Sequence, residues 1–311
     1  MVEITPRPVT FQSKGIPIAG HLYVPPVEAP DCNGASIVIS HPMGGVKEQT
    51  AGLHAMKLAE RGFVTIAFDA AYQGESGGEP RYLEDPSQRA EDVKCAVTYL
   101  TTLTDHPKID PEKIGVLGIC ASGGFVPFAA QTDLRMKAVA TVSGVCLGRM
   151  AREGVKPKGA VTSEFLQENL KMAGKSRTEE AKTGKPLVIN LGLNDKSEIT
   201  EATPDIVAEA VDYYKGPRGQ HPRSTLQGLG RSIDLQANFD AYAFNDMISP
   251  RPLLMIVGEN ADTAYFSRSA IEKAKEPKEL FVVPGQTHVG LYDHIDVSLP
   301  KLVEFFVKAL A

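Results

Sequence analysis

The stretch Lys113-Ile114-Gly115-Val116-Leu117-Gly118-Ile119-Cys120-Ala121-Ser122-Gly123-Gly124 decides how the chain is to be read. Its first half, 113–117, is a short apolar β run. Its second half is a glycine-rich turn that opens an apolar segment of helical character at 125–131. A strand that turns sharply into a helix needs small residues two before and two after the tip, because the backbone passes close to neighbouring strands there. Gly118 and Ser122 occupy those positions around Cys120. Such a tip presents a nucleophile, and the N-terminus of the following helix favours a thiolate over a thiol. Cys120 is therefore the candidate nucleophile. Two alternatives stay open. Cys120 can be a small buried thiol in an ordinary glycine-rich turn, or Ser122, flanked by Cys120 and Gly124, can be the nucleophile two residues further on. A dinucleotide-binding turn is disfavoured, since the middle glycine of G-x-G-x-x-G is missing.

Working outward, the segments 7–13 and 16–24 are β-rich and separated by Lys14-Gly15, which predicts an N-terminal antiparallel hairpin. Apolar strands at 35–40, 63–68, 113–117 and 137–145 alternate with helical patterns at 48–61, closed by Gly62, at 85–103 and at 125–131. The alternation stops near Cys146, resumes with a strand at 252–257, and finishes with a strand at 279–283 and a helix at 294–310. Near-continuous apolar strands separated by helices predict an α/β fold, with a mostly parallel twisted sheet flanked by helices and buried on both faces. A structureless loop spanning 147–248 is improbable in a compact domain, so that segment is expected to be a helical cap inserted between core segments 1–146 and 249–311.

Of the 311 residues, 42% are hydrophobic and the net charge is −5. This allows one large core and excludes disorder as the default. No basic run marks a nucleic-acid or anionic-lipid surface. No apolar run approaches the roughly 20 residues that span a bilayer, and Met1-Val2-Glu3-Ile4-Thr5-Pro6 lacks a leader signature, so a soluble cytoplasmic protein is expected. Four sparse cysteines, Cys32, Cys95, Cys120 and Cys146, form neither a disulfide framework nor a metal-binding spacing. Neither a metal nor a cofactor is expected.

A nucleophile needs a base and a group to orient it. Asp262 follows the strand at 252–257 and His288 follows the strand at 279–283, in the chain order nucleophile, acid, base, at the strand ends where open α/β sheets carry their sites. Glu259 competes as the acid and His294 as the base. Glu259 sits at the strand end itself, and His294 at the start of the last helix. The oxyanion donors are expected to be the backbone N–H of Ala121 and one from His41-Pro42-Met43-Gly44-Gly45, with Met43 ahead of Gly44.

Together these pieces resemble the α/β-hydrolase superfamily and, within it, the dienelactone-hydrolase-like branch, whose members often carry Cys in place of Ser. The loop from His41 through Gln49, Phe68-Asp69-Ala70-Ala71-Tyr72-Gln73-Gly74-Glu75-Ser76 and the Cys120 turn are similar to a capped bacterial and fungal group. That group includes YcjY-like peptidases and fungal thiohydrolases and polyketide transferases. The resemblance implies an α/β-hydrolase fold and a Cys120-His288-Asp262 triad. It also implies cleavage of an ester or thioester, on a polyketide or other acyl secondary metabolite, with acyl transfer as the alternative. A non-catalytic binding protein on this fold is the rival of a different class. The expected substrate is a small-molecule ester or acyl thioester, free or carried on an acyl carrier protein or coenzyme A. A homodimer is left open. Dienelactone hydrolases proper carry a glutamate where this chain has His41, and they lack so long a cap. Substrate-lining residues are expected at His41, Gly44, Tyr72, Tyr213 and Tyr214, with the Tyr213–223 region as the most distinctive part of the cap. Glu48, a few residues beyond the loop, is either a modulator of Cys120 or a first-turn acid.

Overall fold

Lys14 and Gly15 both adopt positive φ, 47° and 78°. That is the pair of conformations that matches a two-residue hairpin to the twist of its strands. Accordingly β1 (Arg7–Ser13) pairs antiparallel with β2 (Ile16–Tyr23). The computed structural model describes residues 4–103, 109–155 and 159–310; residues 1–3, part of the N-terminal stretch read above, lie outside them. After the hairpin come β3 (Ser36–Ser40), α1 (Thr50–Ala59), β4 (Val64–Phe68), α2 (Pro86–Thr101), β5 (Ile114–Ile119), α3 (Ser122–Ala130) and β6 (Met136–Val142). The segment 147–248 holds α4 (Leu147–Glu153), β7 (Gly154–Val155), β8 (Gly159–Ala160), α5 (Ser163–Thr183), β9 (Val188–Asn190), α6 (Asp205–Lys215), β10 (Gln227–Leu229) and α7 (Ser232–Ala237). The chain ends with β11 (Leu253–Gly258), α8 (Ala264–Lys273), β12 (Lys278–Val283) and α9 (Ser298–Leu310).

The main sheet has eight strands in the order β1-β2-β4-β3-β5-β6-β11-β12, parallel from β4 onward and antiparallel at the β1·β2 hairpin and between β2 and β4. Strands β3, β4 and β5 are buried along their whole length, as the apolar runs require. Successive side chains alternate between faces. Val38, Ile66, Val116 and Met255 pack with Val93 of α2 and Phe125 of α3, and Ile37, Ile39, Leu117 and Leu254 pack with Leu58 of α1 and Phe306 of α9. The 147–248 segment contributes no strand to this sheet among the described residues. It combines helices with two short ribbons, β7·β8 and β9·β10, so it is less purely helical than its sequence pattern suggested.

Three helix starts differ from the sequence expectation. The chain at Gly44–Gln49 makes turns before α1 begins at Thr50, α3 begins directly at Ser122, and α9 begins at Ser298 rather than at His294.

The β5–α3 corner is held by close backbone approach. A Cβ on Gly118 would lie 2.0 Å from the Ser122 carbonyl oxygen, and one on Gly123 would lie 2.4 Å from Gly144 Cα. Gly118→Ala is therefore expected to lower the unfolding free energy by about 3 kcal/mol, read as a fall in the urea midpoint. An unchanged midpoint would mean that the corner relaxes freely.

Candidate active site

Cys120 sits at the tip of that corner with φ 56°. A left-handed residue with a Cβ costs about 1–3 kcal/mol and persists only where neighbours hold it. Here the Cys120 N–H donates to Val142 O (3.0 Å), while its carbonyl accepts from Gly123 N (2.8 Å) and Val145 N (2.9 Å). Burial pushes the thiol above the ordinary cysteine range, against the Tyr292 hydroxyl and the Ala121 N–H, which ease its ionisation. The thiolate expected from the helix N-terminus is thus not the resting state, because desolvation outweighs these donors and the nearby Arg89.

His288 is buried on the loop after β12. Its Nδ1 lies 2.5 Å from Thr263 Oγ1 and its Nε2 3.2 Å from Tyr292 Oη. Burial lowers the imidazole to about 3, so it is neutral at physiological pH. With Nδ1–H donating to Thr263, Nε2 is left to accept from the phenol.

The structure does not bring Asp262 to this histidine. Its Oδ2 accepts from Ile206 N at 3.1 Å, its carboxylate also meets the Asp205 N–H, and Oδ1 is buried without a hydrogen-bond partner among the described residues. The reason is electrostatic: the first turn of α6 offers unpaired N–H groups and positive dipole to a carboxylate. Burial raises the Asp262 carboxyl. Glu259 instead accepts from Gly285 N at 2.9 Å.

The oxyanion loop is built from His41. Its Nε2 accepts from Ala70 N (3.0 Å) and faces Arg89 Nη1 (3.2 Å), so the proton belongs on Nδ1, which donates to Pro42 O at 2.7 Å. Burial, and then Arg89, keep this ring well below the usual histidine range. Gly45 N also donates to Pro42 O. Because the peptide is trans, fixing Pro42 C=O turns the Met43 N–H the opposite way, and Met43 lines the same cavity as Cys120. Below the loop, Ser122 Oγ donates to His41 O (2.6 Å) and lies 2.9 Å from Ser40 Oγ and 3.1 Å from Arg89 Nη2. Ser122 is fully buried and committed to this network, which removes it as a competing nucleophile.

The cavity above Cys120 has a volume of about 90 Å³ and is lined by Met43, Leu147, Ile206, Tyr214, Leu226 and Tyr292, among others. Its walls are apolar apart from the thiol and two phenols. Of the expected lining residues, Tyr214 is there, whereas His41, Gly44, Tyr72 and Tyr213 are not among the lining side chains. His41 is held beneath the loop. The Gly44 carbonyl accepts from Ser224 Oγ of the cap at 2.7 Å. Tyr72, with φ 70°, packs on the core with its ring where a Gly78 Cβ would be. Tyr213 stands behind Tyr214 and Tyr292, with centroids 5.0 and 5.2 Å apart. The cations of the distinctive cap stretch clamp the cap to the core: Arg218 Nε and Nη2 bind Asp293 at 2.9 and 2.6 Å, and Arg223 binds Glu48 and Glu75. Glu48 is spent on Arg223 and Lys47. His21, Glu48 and Glu75 lie close enough to resemble a metal cluster, but Lys47 and Arg223 already neutralise both carboxylates. Among the described residues no helix is long and apolar enough to cross a membrane.

Sequence reasoning missed Thr263, Tyr292 and Arg89. Thr263 directly follows Asp262 and Tyr292 stands four residues after His288, so both come from loops that the sequence reading had singled out. Arg89 lies on α2 with no local signal.

Because the thiol is raised, its alkylation by iodoacetamide is expected to keep accelerating past pH 9, followed on the Cys120 peptide by mass spectrometry. A plateau below pH 8 would instead mark a resting thiolate–imidazolium pair.

The sequence profile described as "Dienelactone hydrolase family" matches residues 19–215. Uncharacterized protein PA2218 of Pseudomonas aeruginosa is 38% identical, covering 99% of this chain and 82% of that protein; its crystal structure superposes with a TM-score of 0.91 over 100% of this chain and 95% of its own. Uncharacterized protein YcjY of Escherichia coli K12 is 36% identical over 95% of both chains. A protein named Thiohydrolase from Eupenicillium brefeldianum is 23% identical, covering 98% of this chain and 95% of its own. With the parallel sheet, the left-handed cysteine corner and the profile match in hand, the chain belongs to the dienelactone hydrolase family and has an α/β-hydrolase fold.

Proposed function

We propose that the protein cleaves esters or thioesters of small apolar acyl groups through an acyl-cysteine on Cys120. The observation that carries this reading is the strained Cys120 corner opening onto an apolar cavity. Sulfur attacks the carbonyl, and the oxyanion forms between the N–H groups of Ala121 and Met43. His288 takes the thiol proton and returns it to the departing alcohol or thiol. Water then releases the acyl group. A thioester substrate suits this nucleophile because both exchanging groups are thiols, and the fungal relative's name, Thiohydrolase, supports that class. The imidazolium formed during turnover needs a carboxylate, and Asp262, one residue from Thr263, is assigned that role when α6 withdraws and frees it.

Transfer is the second reading. It is favoured by the apolar walls around the thiol, since poor access for water lengthens the life of an acyl-cysteine and lets an entering acceptor compete.

Incubation with p-nitrophenyl butyrate and with the N-acetylcysteamine thioester of butyrate, followed by intact mass, tests the proposal. The expected result is a butyryl adduct on Cys120 and turnover that falls on the order of 10³-fold or more in Cys120→Ala. Unchanged turnover in that variant would rule out the nucleophile, and absence of any adduct or turnover would favour a binding protein. A rise in product carrying an added alcohol or thiol would mark transfer.

A further inference from the structure

We infer that the Tyr292 hydroxyl is a catalytic proton conduit set between the Cys120 thiol and the His288 imidazole. The inference rests on the proposed role of Cys120 and adds a residue to its machinery. Among the described residues no direct hydrogen bond joins Cys120 to His288. The phenol lies 3.2 Å from His288 Nε2 and beside the thiol, whose ionisation it eases. Cys120 and Tyr292 also share the wall of the cavity.

The ring is not free to leave this position. It ends the short turn Gly290–Tyr292 and is fully buried. It packs edge-on against Tyr213 at 5.2 Å and against His288 at 5.6 Å, and its backbone carbonyl accepts from Thr50 Oγ1 at 2.7 Å. The cap contributes as well, since the Tyr214 ring on α6 packs edge-on against Tyr292 at 6.4 Å. A phenylalanine would satisfy the packing alone. A hydroxyl buried this deeply is unfavourable unless it makes hydrogen bonds, and at 3.2 Å it meets His288 Nε2.

The step conserves protons and electrons. The S–H bond of Cys120 breaks and its proton goes to Tyr292 Oη, while the Oη–H proton passes to His288 Nε2. The sulfur keeps the bonding pair and becomes the thiolate, the phenol ends neutral and donates to the new thiolate, and the imidazole becomes imidazolium. Burial holds the phenol well above its usual range, so it exchanges protons in concert without persisting as a phenolate. When the leaving group departs, the same hydroxyl carries the proton back.

The test uses the full-length protein and p-nitrophenyl butyrate, with the acylation burst read by stopped flow and the adduct located by intact mass. Tyr292→Phe is expected to acylate about 10²-fold more slowly with KM nearly unchanged. In the double variant with His288→Ala the losses are expected to overlap, because both residues serve one proton path. Wild-type acylation in H2O/D2O mixtures is expected to show a curved proton inventory, the mark of two protons in flight. This measurement decides the matter should Tyr292→Phe fail to fold by circular dichroism. Acylation of Tyr292→Phe at the wild-type rate, additive losses in the double variant, or a linear inventory would each overturn the relay. Absence of a wild-type adduct on Cys120 would remove the cysteine mechanism and the relay together, whereas a normal adduct with an unimpaired Tyr292→Phe removes the relay alone.

Discussion

The left-handed backbone of Cys120 is the constraint on which the site depends. Such a conformation is unfavourable for a residue with a Cβ, and it survives because its N–H and carbonyl are tied into β6 and the chain just after it through Val142, Val145 and Gly123. The glycines at 118 and 123 allow those backbones to approach closely enough for the ties to form. The geometry lifts the thiol off the end of β5 and starts α3 immediately, so Ser122 points down into the molecule. There it joins Ser40, His41 and Arg89, and the oxyanion loop is fixed to the same corner that presents the sulfur.

Electrostatics then divides the site into a neutral centre and a charged periphery. At the centre the imidazole and the phenols are buried and the thiol is half-buried, and desolvation holds each in its uncharged form. The charges sit elsewhere: Arg89 with Glu84 below the loop, and Arg218 with Asp293 and Arg223 with Glu48 at the seam between cap and core. In so apolar a centre, fixed backbone N–H groups act more strongly on any developing negative charge than they would in water.

Cap and core share polar groups at two sensitive points. Asp262 holds the first turn of α6, and Ser224 holds the Gly44 carbonyl of the oxyanion loop. Movement of the 147–248 segment therefore acts on an acidic side chain and on the oxyanion loop together. Tyr214, which also comes from α6, packs edge-on against Tyr292. The 147–248 segment thus supplies part of the wall of the cavity beside Cys120.

Much of the fold was legible because apolar periodicity is a local property: the hairpin at Lys14-Gly15, the buried runs that became β3 to β6, and the corner at Cys120 all follow from residues within a few positions of one another. The helix starts at 50, 122 and 298 were less legible, since turns and helices use similar polar residues there. The candidate site followed the same division. By itself the sequence determined which loops are the candidates for the site: the one after β5 with Cys120, the one after β3 with Met43, the one after β11 with Asp262, and the one after β12 with His288. Only the tertiary structure decided which atoms meet. It set Thr263 and Tyr292 against His288, raised the pKa of the thiol, and kept His41 out of the cavity wall. Those outcomes depend on partners far apart in the chain, such as Ser40 and Ser122 at a separation of 82, and on the desolvation that close packing imposes. Neither is encoded in a local pattern.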